Sequence, residues 1–282
     1  MAAHAAQHSG AIRSRKFLAR SALLEKQMNT VFESSTVRII ETSDAEGDTQ
    51  RQLYLGPPFN NIQGAVKVNK PKFHVHDFSK KLTYGALCVR NGVHNALILG
   101  LGAGIVIQSI RDLAPSAHID IVDLNLELFE PSHTFFFDLD SDNLELFHED
   151  AYHFVSRSQK KYDYICCDVF GSSLEVPDYV LSGELTEKVK RCLSEAGIFA
   201  INTHRQLHKS LIESLSLSFK FVFSLPGNNC LLLCSDAWPQ FIFDDATIAQ
   251  QLVNNVDIAA IRDGMTLTQR VDIHVPPKTA TV

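Results

Sequence analysis

The chain has 282 residues, 45% of them hydrophobic and 21% charged, with 14 glycines and 10 prolines, a globular composition that excludes disordered, collagen-like and coiled-coil classes. Lys and Arg number 26 against 32 Asp and Glu, a formal net charge of −6, so no overall positive field exists to draw in nucleic acid and no such partner is expected. The longest apolar run, ALILGLGAGIVI, is broken by glycines and falls short of the roughly 18–20 residues that span a bilayer, so no membrane partner is expected either.

Residues 1–29 read as an N-terminal tail or helix. Arg13, Arg15, Lys16 and Arg20 precede the first acid, Glu25, a composition shared by mitochondrial transit segments and by ordinary solvated tails. From 30 to 75 the chain reads as a small β-rich cap, with TVRIIET and RQLYLG separated by the acidic turn DAEGDTQ. After a switch near residues 75–90, strand-length apolar runs alternate with amphipathic stretches, the pattern of β and α units around a parallel sheet. Strands are expected at 96–102, 118–124, 144–150, 162–169 and 197–203. YICC and IFAI are continuously apolar, as strands buried on both faces should be. A helix over LHKSLIESLSL leads into FKFVFSL and CLLLCSD, joined by PGNN, a hairpin composition.

Five parallel strands followed by a hairpin give the expected fold class: α/β, a methyltransferase-type doubly wound, mostly parallel seven-stranded sheet spanning 76–238, with the last strand antiparallel. Residues 239–282 form a C-terminal extension, containing a helical pattern at DDATIAQQLVNN and no chemical signal. The six cysteines, Cys88, Cys166, Cys167, Cys192, Cys230 and Cys234, include no Cys-x-x-Cys pair, and several lie within apolar runs. An intracellular, reducing setting is expected, cytoplasmic or, from the basic N-terminus, mitochondrial.

Gly100, Gly102 and Gly104 end the first parallel strand directly before a helix, where glycine lets a ligand approach the main chain and the helix N-terminus. Asp123 closes the second strand about twenty residues later, where a doubly wound fold places an acid on ribose hydroxyls; capping the following helix is the lesser alternative, and the two roles are compatible. GLGAG departs from the dinucleotide pattern GxGxxG, which favours S-adenosylmethionine over NAD. Asp150 and Ala151 would then lie beside the adenine, and Asp150 could also be a helix cap. Asp168 ends the fourth strand and opens the loop DVFGSSLEVPDYVL over the strand ends. An acid there can hold an acceptor amine, take its proton or balance a sulfonium charge, and it is the expected catalytic residue.

With LILGLGAG, IVDLN, HEDAYHFV and YDYICCDVFGSSLEVPDYVLSGEL in view, the chain resembles the spermidine synthase-like (polyamine aminopropyltransferase-like) family of S-adenosylmethionine-binding transferases, from about residue 30 to 235. The resemblance implies that Asp123 with Leu124 binds the ribose side, Asp150 the adenine, Asp168 the acceptor, and Gln63 of the cap the donor. Two departures stand out. The family's acid after the glycine run is absent from Gly102-Ala103-Gly104-Ile105, and a second acid three residues after the catalytic one is replaced by Gly171. Each lost charge-assisted bond weakens a polycationic acceptor or a decarboxylated donor by about 1–3 kcal/mol.

Methyl transfer from S-adenosylmethionine to a small amine acceptor is therefore the favoured expectation. Aminopropyl transfer from decarboxylated S-adenosylmethionine is the alternative, and a non-catalytic binding or scaffold module the second. Acceptor candidates are His76 and Asp77 in FHVHDFSKK, Tyr84 if the alignment slips, Gly171, and His204 with Asn202 and Thr203 after the fifth strand. His74-x-His76 also fits a metal pair, but no partner ligands are evident and no metal is expected. Cys166 and Cys167 are expected in the core. A homodimer is an expectation carried by the resemblance alone.

Overall fold

The computed structural model describes residues 28–139, 141–203, 209–225 and 227–239. Residues 1–27 of the N-terminal tail with its basic segment, His204, and the helical pattern at 244–255 lie outside them, whereas Asn29, assigned to the tail, already begins the first strand. The first layer is an antiparallel five-stranded sheet in sequence order: β1 (Asn29–Glu33), β2 (Val37–Ser43), β3 (Thr49–Leu55), β4 (Ile62–Lys67) and β5 (Lys70–His74). The two strands expected from TVRIIET and RQLYLG are β2 and β3, paired from Val37 with Leu55 to Ser43 with Thr49. The acidic turn between them wraps the nearly buried Lys67 ammonium, which lies 2.8 Å from Asp44, 2.8 Å from Glu46 and 3.0 Å from Asp48. The three carboxylates are thus partly neutralised from within the sheet.

The second layer is a seven-stranded sheet built from β6 (Asn95–Leu99), β7 (His118–Asp123), β8 (Leu144–His148), β9 (Tyr162–Cys167), β10 (Leu193–Asn202), β11 (Phe221–Leu225) and β12 (Leu231–Ser235). The order across the sheet is β11-β12-β10-β9-β6-β7-β8. β6 to β10 are parallel, whereas β12 runs antiparallel to both β10 and β11. This is the expected doubly wound arrangement with its reversed last strand. Strand order reverses at β6, between β7 and β9, which is the switch point where ligands settle at the carboxyl ends of such sheets.

Period-two alternation explains the two cores. Ala96, Ile98, Ile119, Ile121, Tyr164 and Cys166 face the layer formed by α1 (Asp77–Leu87), α2 (Ile105–Leu113) and the N-terminal sheet. Leu97, Leu99, Val122, Ile165 and Cys167 face α4 (Ala151–Arg157), α6 (Glu184–Cys192) and α7 (Lys209–Ser218). The short α3 (Phe129–Phe135) follows a 3₁₀ turn at Leu126–Leu128, and α5 (Asp178–Leu181) lies in the loop after β9. Cys166 and Cys167 point to opposite faces, each 1% exposed, and burial pushes the Cys167 thiol up to about 12. They are core residues, as expected. Among the described residues no helix is long and apolar enough to cross a membrane.

Candidate functional site

A cleft of about 900 Å³ opens at the carboxyl ends of β6, β7 and β9 and is roofed by the N-terminal sheet. Of the residues singled out in the sequence, Gln63, His76, Gly100, Gly102, Asp123 and Leu124 line it, as do Asp150, Ala151, Asp168, Gly171 and Asn202. They come from strand ends, helix starts and loops spread over more than a hundred residues of sequence.

The turn after β6 is held by its neighbours. Gly100 donates to the Val122 carbonyl at 2.8 Å, and Asp168 donates its backbone N–H to Leu99 at 2.9 Å. Gly100 has φ +98°, and a Cβ there would meet the Asp168 carbonyl oxygen at 2.5 Å, whereas a Cβ at Gly102, φ +50°, would meet no protein atom within 4 Å. The first glycine serves packing of the turn on β9; the second leaves open the space a ligand would use. Gly100→Ala should therefore lower stability by roughly 2–4 kcal/mol through backbone strain and overpacking. Gly102→Ala should cost less, about 1–2 kcal/mol for a Cβ on a left-handed backbone, but weaken ligand binding, a contrast that urea midpoints set beside calorimetric affinities would reveal. Gly104 starts α2 beneath the Phe137 ring and borders a narrow side crevice rather than the main cleft.

Asp123 uses both oxygens locally: Oδ2 accepts from Leu101 N–H and Oδ1 from Asn125 N–H, each at 2.8 Å. It joins the glycine turn to the loop after β7, while Asn125 itself caps the following turn by accepting from Glu127 N–H at 3.1 Å. Each carboxylate oxygen retains lone-pair capacity toward the cleft. Burial raises the Asp123 pKa, with the two backbone N–H groups opposing. Leu124, 67% exposed, offers an apolar shelf beside it.

Asp150 is the helix cap that the sequence offered as its alternative role, and it also lines the cleft. Its Oδ1 caps α4 by accepting from Tyr152 N–H (2.9 Å) and His153 N–H (3.1 Å), which leaves Oδ2 for the Tyr179 hydroxyl at 3.4 Å and for the cleft. Tyr179, carried over the cleft by the loop after β9, was not singled out in the sequence, and only its proximity to Pro177 in DVFGSSLEVPDYVL hinted at a position there.

At the far wall, Asp168 Oδ1 accepts from Asn202 Nδ2 at 2.8 Å, and Asn202 Oδ1 accepts from Asn229 Nδ2 at 3.1 Å. The desolvating surroundings push the Asp168 carboxyl up to about 6, partly opposed by the Asn202 hydrogen bond. Gly171 lies three residues on. The Glu175 carboxylate stands where its side chain would start, since a Cβ would lie 1.9 Å from Glu175 Oε1. Four acids thus line the cleft, Asp123, Glu149, Asp150 and Asp168, and no Lys or Arg among the described residues does.

Several candidates lie elsewhere. Tyr84 is 1% exposed within α1 and does not line the cleft; helix phase turns it into the core. Asp77 is paired with Lys81 one turn along α1, next to Gly227 of the β11–β12 turn, and is also off the cleft. His74 is fully buried between Ser79 Oγ (2.9 Å) and Ser109 Oγ (3.0 Å). Its pKa is lowered to about 4 by burial, with the Lys80 charge adding to the effect. It ties β5 to α1 and α2, and each ring nitrogen already has a protein partner. Thr203 turns away to bond the Cys230 carbonyl.

The roof is clipped to the sheet at one point that the sequence did not disclose. Glu127 accepts from Ser34 Oγ, Ser35 Oγ (2.7 Å), Thr36 N–H (3.1 Å) and Thr36 Oγ1 (2.9 Å). Thr36 Oγ1 also lies 3.0 Å from Asn125 Oδ1. These four hydrogen bonds hold the Glu127 carboxyl down to about 2 and join the β1–β2 turn to the segment that follows Asp123.

Residues 76–233 match the family model described as the spermine/spermidine synthase domain. The chain is 27% identical over 146 residues to a polyamine aminopropyltransferase of Vibrio vulnificus, covering 51% of this chain and 48% of that protein. It is 31% identical over 157 residues to the eEF1A lysine and N-terminal methyltransferase of Danio rerio, covering 50% of this chain and 22% of that protein. The chain thus spans about half or less of the length of these curated relatives. The crystal structure of a probable spermidine synthase from Corynebacterium glutamicum superposes with a TM-score of 0.64 at 18% identity, covering 90% of this chain and 98% of that one; this similarity concerns the fold.

Proposed function

The chain belongs to the spermine/spermidine synthase domain family, and from that membership and the cleft geometry we propose a transferase that binds S-adenosylmethionine and passes its methyl group to a small amine. The observation that carries this reading is the cleft itself: Asp123 and Asp168 end two strands on either side of a glycine turn that is open at Gly102, and carboxylates are the only charged side chains around it among the described residues. Such a lining favours cationic ligands, and both a sulfonium donor and an amine acceptor qualify.

When bound, the donor supplies an electrophilic carbon attached to positively charged sulfur. The residues supply the rest. Asp123 holds the ribose hydroxyls, Leu124 and Ala151 flank the adenine, Asp150 Oδ2 accepts from its exocyclic amine, and Gln63 reaches down from the roof. Asp168 accepts a proton or hydrogen bond from the acceptor amine and orients its lone pair, and Asn202 fixes the carboxylate. An acid near 6 is a stronger base than a free carboxylate by roughly two pH units, and it remains ionised at neutral pH. The acceptors in the names of both relatives, polyamines in one and lysine with N-termini in the other, are amines.

Methyl is preferred to aminopropyl transfer because Leu101, Ala103 and Ile105 offer no carboxylate for a terminal ammonium. The start of α2 has neither a side-chain cap nor an acid in its first turn, so its free amides suit the carboxylate that only the undecarboxylated donor carries. The all-acid lining is the observation that favours the aminopropyl alternative, since a decarboxylated donor carries two positive charges. Titration calorimetry with S-adenosylmethionine, its decarboxylated form and 5′-methylthioadenosine separates the readings. Preference for the first is expected, preference for the second restores aminopropyl transfer, and no binding of any leaves a scaffold. We place the activity in a reducing compartment inside the cell, because five of the six cysteines are buried thiols within the fold and none is paired.

A further inference from the structure

We propose that the acceptor is a monoamine with an apolar, ring-bearing body, an arylalkylamine rather than a polyamine: Asp168 takes its one ammonium group, and Phe78, Phe170 and Leu174 take the body. The inference rests on the transferase reading above and names the class of amine that the same cleft accepts.

The acids of the cleft are unevenly spread. Asp123, Glu149 and Asp150 lie at the carboxyl ends of β7 and β8. Asp123 and Asp150 are assigned to the donor, and Glu149 is paired with Arg157. At the ends of β9, β10 and the β11–β12 turn, Asp168 is the one carboxylate on the cleft among the described residues. Glu175, in the same loop, turns to the Ser173 N–H at 2.9 Å and does not line the cleft. The rest of this wall is rings, aliphatic side chains and amides. His76 and Phe78 stack with centroids 5.4 Å apart and 13° between their planes, a flat plate at the start of α1, and burial lowers the His76 pKa so that the ring is neutral at physiological pH. Phe170 and Leu174 come from the loop after β9. Leu174 has φ +65°, a left-handed backbone that a leucine rarely adopts, and strain of this kind is kept where a side chain is needed in place. What it keeps over the cleft is apolar.

A polyamine carries its ammonium groups a few bonds apart, and each one drawn from water needs its own acceptors. The first would find Asp168. The next would lie against the rings, Leu174, or amides already committed in a chain, since Asn229 donates to Asn202 and Asn202 to Asp168. A ring-bearing monoamine matches the wall: one positive charge for one carboxylate, and apolar surface for apolar surface.

The test uses the full chain saturated with S-adenosylhomocysteine and titrated with amines in a calorimeter. 2-Phenylethylamine should bind about 10-fold or more tightly than putrescine or spermidine, and affinity should rise along the series methylamine, propylamine, 2-phenylethylamine as the buried apolar area grows. Phe170→Ala should weaken 2-phenylethylamine by about 10-fold and leave S-adenosylhomocysteine almost unchanged, whereas Phe170→Asp, which adds a second carboxylate to the wall, should reverse the order of 2-phenylethylamine and putrescine. Spermidine or putrescine binding the wild type as tightly as 2-phenylethylamine overturns the assignment, and so does a flat monoamine series or wild-type protein that holds S-adenosylhomocysteine and none of the amines. Failure to bind S-adenosylhomocysteine, read before any amine is added, would instead sink the donor assignment on which the inference rests.

Discussion

Asp168→Asn should abolish methyl transfer, by two to four orders of magnitude if the carboxylate acts as a proton acceptor, leave the affinity for S-adenosylmethionine within several-fold, and make the protein more stable than the wild type at pH 8. The first two results follow from position: Asp168 lies on the wall fixed by Asn202 and Asn229, across the glycine turn from Asp123. The third follows from its environment. Its folded pKa, about 6, lies above the ordinary 3.8 because the charged form is desolvated. The native state therefore holds a proton that the unfolded chain has already released between about pH 4 and 6. The associated stabilisation is present below pH 4 and lost as pH rises through 6, an effect of at most about 3 kcal/mol. Asparagine cannot ionise, and its Oδ1 can still accept from Asn202. Thermal unfolding of both proteins should nearly coincide at pH 4 and separate at pH 8, the variant melting higher. A large loss of donor affinity would assign Asp168 to the donor, and coincident melting at both pH values would show a carboxylate that is not desolvated.

How much of this was legible in the sequence depends on how local the determining physics is. Strands buried on both faces must be apolar throughout, so β6, β7, β9 and β10 stand out, and their alternation sorts Leu97 from Ile98 and Cys166 from Cys167 into opposite cores. The glycines and the acids at strand ends are equally visible, because topology puts every strand's carboxyl end on one side. β1, β4 and β5 were not individually assigned. β4 contains Gly64, and β5 reads KPKFH with its first residues exposed, so neither shows a clean period.

Helix phase was harder still. Nothing in HDFSKKLTYGAL states which face of α1 meets the sheet, and Tyr84, offered as an acceptor ligand, turns inward toward the core that also holds Tyr164 and Leu233. Glu127 and Tyr179 depend on contacts 91 and 29 residues away in sequence, distances over which a single sequence carries no pairing signal. Asp150 shows the opposite case, a residue whose cap role was legible from its position before a helix, and capping occupies one oxygen while the other, 3.4 Å from the Tyr179 hydroxyl, stays on the cleft.

Asp123→Asn should raise the dissociation constant for S-adenosylmethionine by about 100- to 1,000-fold, the loss expected when two charge-assisted hydrogen bonds to ribose hydroxyls go. A competing account must be separated from it. The same oxygens accept from Leu101 N–H and Asn125 N–H, and an asparagine in either orientation sets its NH₂ against one of those donors, so the glycine turn could loosen and weaken every ligand alike. Methylthioadenosine compared with its 2′,3′-dideoxy analogue resolves the two. If Asp123 reads the hydroxyls, the wild type should prefer the hydroxylated ligand strongly and the variant should bind both about equally. If Asp123 only braces the turn, both ligands should weaken by the same factor and the preference should survive. The carboxylate then would be an architectural brace, and the donor assignment built on it would have to be abandoned.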